Sequence, residues 1–283
     1  MEWPKVKNII ILILLLVNGF LLLLVGARRG EALRYEQAAL YQAAEVLESR
    51  GIEVDLSTVT GAEGLKPLSV ERDVDREVRM AGALLGETVQ GDDRGGGLYL
   101  YRGELGELSL RLGGELSAML EDDERWQTEE PEEHAASLLR QMDVDAELVQ
   151  AARDGGTVSV TFRQRWEGRP LFSCQVTFVY REGRLRTVQG NLLASGGAAA
   201  EQGELLSLPT AMLQFLDYVR GTGDVCSAIH SMTAGYRVAQ SFSSTTRLNV
   251  VWLISTNTAN YYLDASTGTL TRLTDEQAGA PLP

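Results

Sequence analysis

Residues 9–27 are nineteen consecutive positions without a charge, and no other segment constrains the chain as much. A helix of that length rises about 28 Å at 1.5 Å per residue, close to the roughly 30 Å of a bilayer's hydrocarbon core. A helix buried in a soluble core would show a polar face at helical period. Residues 9–17 and 20–25 are apolar all round instead, interrupted only by Asn18 and Gly19. The run predicts a transmembrane helix over 9–27 behind a short cytoplasmic start at 1–8.

A secretory signal peptide is the competing reading, because Lys5 and Lys7 precede the run and Val25-Gly26-Ala27 has the small-residue spacing of a cleavage site. The run exceeds the roughly 7 to 15 residues of a signal core. Arg28 and Arg29 follow it directly, as at a membrane surface, so an uncleaved anchor is expected. Lys5 and Lys7 on one side nearly balance Arg28, Arg29 and Arg34 on the other. The brevity of the start and the 39 acidic residues of the chain favour an inside amino terminus, with the bulk extracytoplasmic. The expected location is the cell membrane, crossed once.

Behind the anchor, this 283-residue chain is long enough for one large or two ordinary domains. A hydrophobic fraction of 44% argues against disorder, and a net charge of −13 argues against nucleic acid, whose phosphates it would repel. Cys174 and Cys226 could form one disulfide or be two small buried hydrophobes, and their sequence separation does not decide between these.

Residues 31–50 carry Leu33, Ala38, Leu40, Tyr41, Ala44 and Leu47 mostly at three- and four-residue spacings, with Gly51 as a cap, and predict an amphipathic helix. Residues 52–56, 78–85, 97–102 and 107–112 read as strands, with turns at 95–97 and 102–103. They complete a membrane-proximal mixed domain over 28–120. Residues 121–133 hold eight acidic residues in thirteen around Trp126 and read as a solvated linker. The ligand spacing and central glycine of a Ca²⁺ loop are missing.

The remaining domain, 134–283, repeats one plan of a helix followed by a meander, over about 134–195 and 205–275. Helical runs are expected at 132–142, extending through 146–152, and at 208–220, with a further turn or two at 225–231. Strands are expected at 158–166, 171–180, 185–192, 235–240, 248–255, 260–264 and 270–273, with short turns at 167–170 and 181–184. The fold class is therefore α+β: an N-terminal transmembrane helix, then an extracytoplasmic region of two mixed domains in which antiparallel sheets pack against helices.

Two stretches carry a family resemblance. Val250-Val251-Trp252-Leu253-Ile254 followed by Tyr261-Tyr262-Leu263-Asp264-Ala265-Ser266-Thr267-Gly268 resembles the end of a PepSY-type module, where a strand runs into an Asp-Ala-x-Thr-Gly turn. The start, Met1-Glu2-Trp3 with Lys5 and Lys7 leading into Ile9-Ile10-Ile11 and then Val17-Asn18-Gly19-Phe20, resembles that of the YycI family. That resemblance implies a single-pass accessory regulator of a YycG (WalK) sensor histidine kinase of a two-component system governing cell-wall metabolism. It also implies a YycH-like membrane protein as partner.

Within the span, Asn18 would lack partners if it faced lipid, and a neighbouring helix could satisfy it for roughly 0.6–2 kcal/mol. Gly19 beside it, and Gly26 seven residues on, would let another backbone approach. The alternative is that Asn18 bonds within its own helix. Trp3 is placed as an interfacial anchor.

Enzyme chemistry finds little to use. His134 and His230 are the only histidines, no Gly-x-Ser-x-Gly elbow accompanies them, and Cys174 and Cys226 do not pair with them at zinc-site spacing. Gly95-Gly96-Gly97 lacks the Lys-Ser/Thr of a phosphate loop. No catalytic, metal or cofactor residues are expected. Three classes remain: a kinase-accessory regulator, a PepSY-type inhibitor or chaperone of an exported peptidase, and an exported enzyme of unknown type.

Overall fold

The computed structural model describes residues 3–201, 203–242 and 245–273. Its first element, α1 (Trp3–Ser49), is a single helix of 47 residues, about 70 Å at 1.5 Å per residue. The apolar run and the amphipathic helix expected after it are thus one uninterrupted element. Gly51, at φ 82°, turns the chain out of the helix, and its N–H bonds Glu48 O at 2.9 Å. Among the described residues no helix is long and apolar enough to cross a membrane. Of the 9–27 run, the side chains of 9, 10, 12 and 22–27 lie outside the described set.

After α1 come β1 (Glu53–Val54), β2 (Leu68–Arg72) and α2 (Val74–Leu85). Residues 78–85, expected as a strand, belong to α2. Asp73 caps that helix by accepting from Arg76 N at 3.0 Å, and the buried Met80, Ala81, Leu84 and Leu85 recur at helical spacing. Four strands follow: β3 (Gln90–Asp93), β4 (Leu98–Gly103), β5 (Gly106–Arg111) and β6 (Glu115–Leu120).

The acidic stretch is not a free linker. Trp126 is only 4% exposed, Asp122 pairs with both Arg184 and Arg186 at 2.8 Å, and Pro131 opens α3 (Pro131–Gln141) in its first turn.

The chain continues through β7 (Ala146–Asp154), β8 (Thr157–Trp166), β9 (Arg169–Arg181) and β10 (Arg184–Asn191). Residues 146–152, expected as a helical extension, form a strand because α3 ends at Met142 and Asp143 turns to φ 58°. The turns of the meander fall where expected. Glu167-Gly168 and Glu182-Gly183 both have positive φ at the two central positions, the geometry that matches strand twist in a two-residue hairpin.

Then come β11 (Ser195–Ala200), α4 (Leu208–Thr222), β12 (Ala228–Phe242), β13 (Thr245–Thr256), β14 (Asn260–Asp264) and β15 (Leu270–Arg272). Residues 228–231, expected within a helical turn, already pair in the sheet as the start of β12.

The strands join into one sheet of two halves, or layers, antiparallel within each except where β1 runs parallel to β12. One runs β3-β4-β5-β6-β10-β9-β8-β7. In the other, β13 pairs with β12 along one edge and with β2 and then β14 along the other. A single parallel bridge, Tyr236 to Leu171, joins the layers.

Each layer has its own core. Ala43, Ala44 and Leu47 of α1 pack with Val70, with Met212 and Phe215 of α4, and with Trp252 and Tyr261. Met80 and Leu84 of α2 pack with Leu108, Trp126, Leu138 of α3, Phe162 and Phe178. The cores therefore divide the chain differently from the expected 28–120 and 134–283. The segment just after the apolar run joins the carboxy-terminal strands, and the second core is drawn from residues between them in sequence, 80–194, although Leu171, Cys174 and Leu193 of that stretch pack into the first.

Candidate functional site

The feature that the sequence singled out, the face of α1, stands clear of both cores. Leu15 and Leu16 are each 66% exposed, and Leu14, Phe20 and Leu21 are exposed too. Apolar side chains of this size, worth about 1.5–3 kcal/mol each when removed from water, need lipid or protein to cover them. At the other end of the helix, Ala43 and Ala44 present small side chains to the core and Leu47 is fully buried.

Asn18 uses its amide within the helix, its Nδ2 donating to Leu14 O at 2.9 Å. That is the alternative raised by the sequence, although Oδ1 and the second N–H stay open to a partner. Gly19, one position on, is bare: a Cβ built there would meet nothing within 4 Å. Trp3 and Gly26 lie in the same helix, with their surroundings outside the described residues.

A second feature, with no sequence signal beyond an Arg and a Glu five apart, sits where the two bodies meet. Arg72 ends β2 in the first body and Glu77 lies in the first turn of α2 in the second. Arg72 Nε and Nη2 donate to Glu77 Oε1 and Oε2 at 2.6 and 2.5 Å, a two-pronged ion pair around a carboxylate only 3% exposed. Tyr101 OH donates to Glu77 Oε2 at 2.8 Å, and the guanidinium carbon of Arg72 lies 3.4 Å from the ring centroid of Tyr99. The hydrogen bonds to Glu77 hold the Arg72 pKa up, and burial first, with Glu77 second, pushes the Tyr101 phenol up. The arrangement satisfies every charge it buries and serves as a clamp between bodies.

The groups that catalysis would call on are dispersed. His134 is half-buried on α3, its Nδ1 2.9 Å from Tyr180 OH and its ring edge-on to Trp126; burial lowers its pKa. His230 is exposed on β12. Cys174 and Cys226 are both free thiols, and burial pushes Cys174 up to about 12. Gly95, Gly96 and Gly97 form the β3–β4 turn, all at positive φ. Among the described residues no three His, Cys, Asp or Glu side chains gather as a metal site.

The turn at 264–268 is built by Asp264, whose Oδ1 accepts from Ser266 N and Thr267 N, both at 2.9 Å, and whose Oδ2 accepts from Asn249 Nδ2 at 2.8 Å.

No family model and no curated protein matches the chain. Among solved structures it is similar to an uncharacterized protein from Eubacterium rectale, at 14% identity and a TM-score of 0.48, over 79% of this chain and 90% of that one. It is also similar to the C-terminal domain of YpeB from Bacillus megaterium, at 12% identity and a TM-score of 0.37, over 73% of this chain and 100% of that one. These are distant likenesses, and neither carries an activity over to this chain.

Proposed function

We propose that the chain is a single-pass, membrane-anchored accessory regulator of a sensor histidine kinase in a two-component system for cell-wall metabolism. Residues 9–27 cross the membrane with the amino terminus inside, and the two bodies lie outside. A YycH-like membrane protein and the kinase are the partners, held through helix packing in the bilayer and contacts of the external region.

One observation supports this reading above the others. The helix bearing the exposed apolar run continues without a break until Ala43, Ala44 and Leu47 are embedded in a core. A shift or rotation of the run against a neighbouring helix therefore moves that body as a rigid extension, without a flexible linker to absorb it. The family resemblance of the start of the chain supplies the identity of the partners.

A photoreactive residue at position 18 tests the reading in living cells. Capture of the kinase or of a YycH-like protein supports it, and failure to capture any membrane partner counts decisively against it. Gly30→Pro, inside α1, should break the helix at a cost of about 3 kcal/mol or more and leave capture intact while abolishing the effect on kinase output. A fragment beginning at Arg29 that kept full activity would favour the peptidase-inhibitor class instead.

A further inference from the structure

On the layer formed by β12, β13, β14 and β15, an open cleft of about 260 Å³ lies on the face opposite α4 and beside the 264–268 turn. Pockets for drug-sized ligands run to roughly 300–1,000 Å³, so this one takes the end of a molecule.

Its chemistry is one-sided. Asp264, the carboxylate on its wall, has three of its roughly four acceptor positions taken, Oδ1 by two backbone N–H groups and Oδ2 by the Asn249 amide. Arg237 lies over the ring of Tyr262, 5.0 Å from its centroid, and among the described residues no carboxylate comes within ion-pair distance of its guanidinium. Thr269 Oγ1 accepts from Thr267 Oγ1 at 3.0 Å, which leaves its own proton to give away. Thr271 adds a further exposed hydroxyl from β15. What remains open is a guanidinium and hydroxyl donors. Val238 and the buried Val251 also line the cleft and make part of it apolar.

We infer that this cleft binds the free carboxylate of a short aliphatic peptide end. The Arg237 fork and the threonine hydroxyls hold the carboxylate, and the adjoining aliphatic side chain lies along the cleft wall by Val238 and Tyr262. Arg suits a planar carboxylate because its donors match it in pairs. On a chain of net charge −13 such a site acts against the general field, so binding is local and weakens with salt. The site is separate from the face of α1, and its failure would leave partner capture at position 18 untouched.

The full-length chain in detergent, titrated calorimetrically with N-acetyl-dialanine acid and with its carboxamide, tests this. The acid should bind at least tenfold more tightly than the amide. Arg237→Gln should remove the difference, and Arg237→Lys should restore part of it. Thr271→Val, a conservative change at an exposed strand position, should weaken the acid several-fold and reads the site even if Arg237→Gln perturbs folding. Equal binding of acid and amide would overturn the assignment, as would unchanged binding by Arg237→Gln and Thr271→Val. Displacement of the acid by inorganic phosphate at equal concentration would also overturn it, because the site would then be a general anion site.

Discussion

Arg72 and Glu77 meet as a two-pronged ion pair at 2.6 and 2.5 Å across the junction of a strand from one core and a helix from the other. The pair is paid for by burial of Glu77, so its worth shows when one partner goes. Glu77→Gln leaves the guanidinium of Arg72, 18% exposed, without its charge partner and should cost about 3 kcal/mol, the low end for a broken buried pair. Arg72→Met combined with Glu77→Met should cost less than Glu77→Gln alone, because no buried charge is stranded. Urea midpoints of the three proteins in detergent check this.

Tyr101 links that clamp to pH. Burial pushes its phenol up, so the folded chain holds the proton to higher pH than the unfolded chain, whose tyrosines lose it near pH 10. A raised folded pKa stabilises fully below the unfolded value and is lost as pH rises toward the folded one. Stability should therefore fall above about pH 10, and Tyr101→Phe should flatten part of that fall. Tyr180, Tyr236, Tyr261 and Tyr262 are raised by burial as well and keep the remainder of the slope. An equal slope in the wild type and Tyr101→Phe would remove Tyr101 from the account.

Trp126 tests whether the acidic stretch is a linker or a piece of core. At 4% exposure among Met80, Leu138 and Phe178, Trp126→Ala should destabilise by about 3–5 kcal/mol, whereas a solvated linker residue would move stability by a few tenths. Its indole Nε1 is buried without a hydrogen-bond partner among the described residues. Trp126→Phe should thus cost far less than Trp126→Ala. Thermal melts of both variants separate packing from hydrogen bonding.

The sequence was legible where local chemistry decides the structure. Glu167-Gly168 and Glu182-Gly183 announce tight turns by residue type, and the strands on either side follow. Residues 78–85 misled because a short apolar run fits a strand or a buried helix, and the Asp73 cap decides only once the Met80-Leu84 spacing is set against a sheet. Residues 146–152 failed for the opposite reason: the helical pattern continues in composition, but Asp143 ends α3 with a positive φ. The division into bodies was illegible because it rests on contacts between residues such as Leu47 and Phe215, far apart in the chain. Of the candidate site, Asn18 and Gly19 could be named from sequence, whereas the Arg72–Glu77 clamp appears only when β2 and α2 are placed together.

Gly268 should be intolerant of substitution for two separable reasons. Its φ of 72° is left-handed, costing an alanine about 1–2 kcal/mol, and a Cβ there would meet the amide end of Gln214 on α4, which must swing aside at a smaller cost. Gly268→Ala alone should carry both penalties, and Gly268→Ala with Gln214→Ala only the first. A double-mutant cycle in which the two changes simply add would show that the turn does not press on α4.

The exposed face of α1 offers the most direct test of a working role for the apolar run. Gly19→Leu fills a position with nothing within 4 Å, so it should leave the fold and membrane insertion unaltered. If a partner backbone approaches there, the added side chain blocks it, and capture from a photoreactive residue at position 18 should drop at least several-fold. Asn18→Leu removes the open amide groups and, at roughly 0.6–2 kcal/mol, should weaken the same contact by about 3- to 30-fold, read by co-purification of the partner because a crosslinker at position 18 replaces Asn18 itself. Its bond to Leu14 O is lost as well, a change confined to the helix itself that circular dichroism would follow. Unchanged kinase output in both variants, with insertion intact, would move the coupling from α1 to the external bodies.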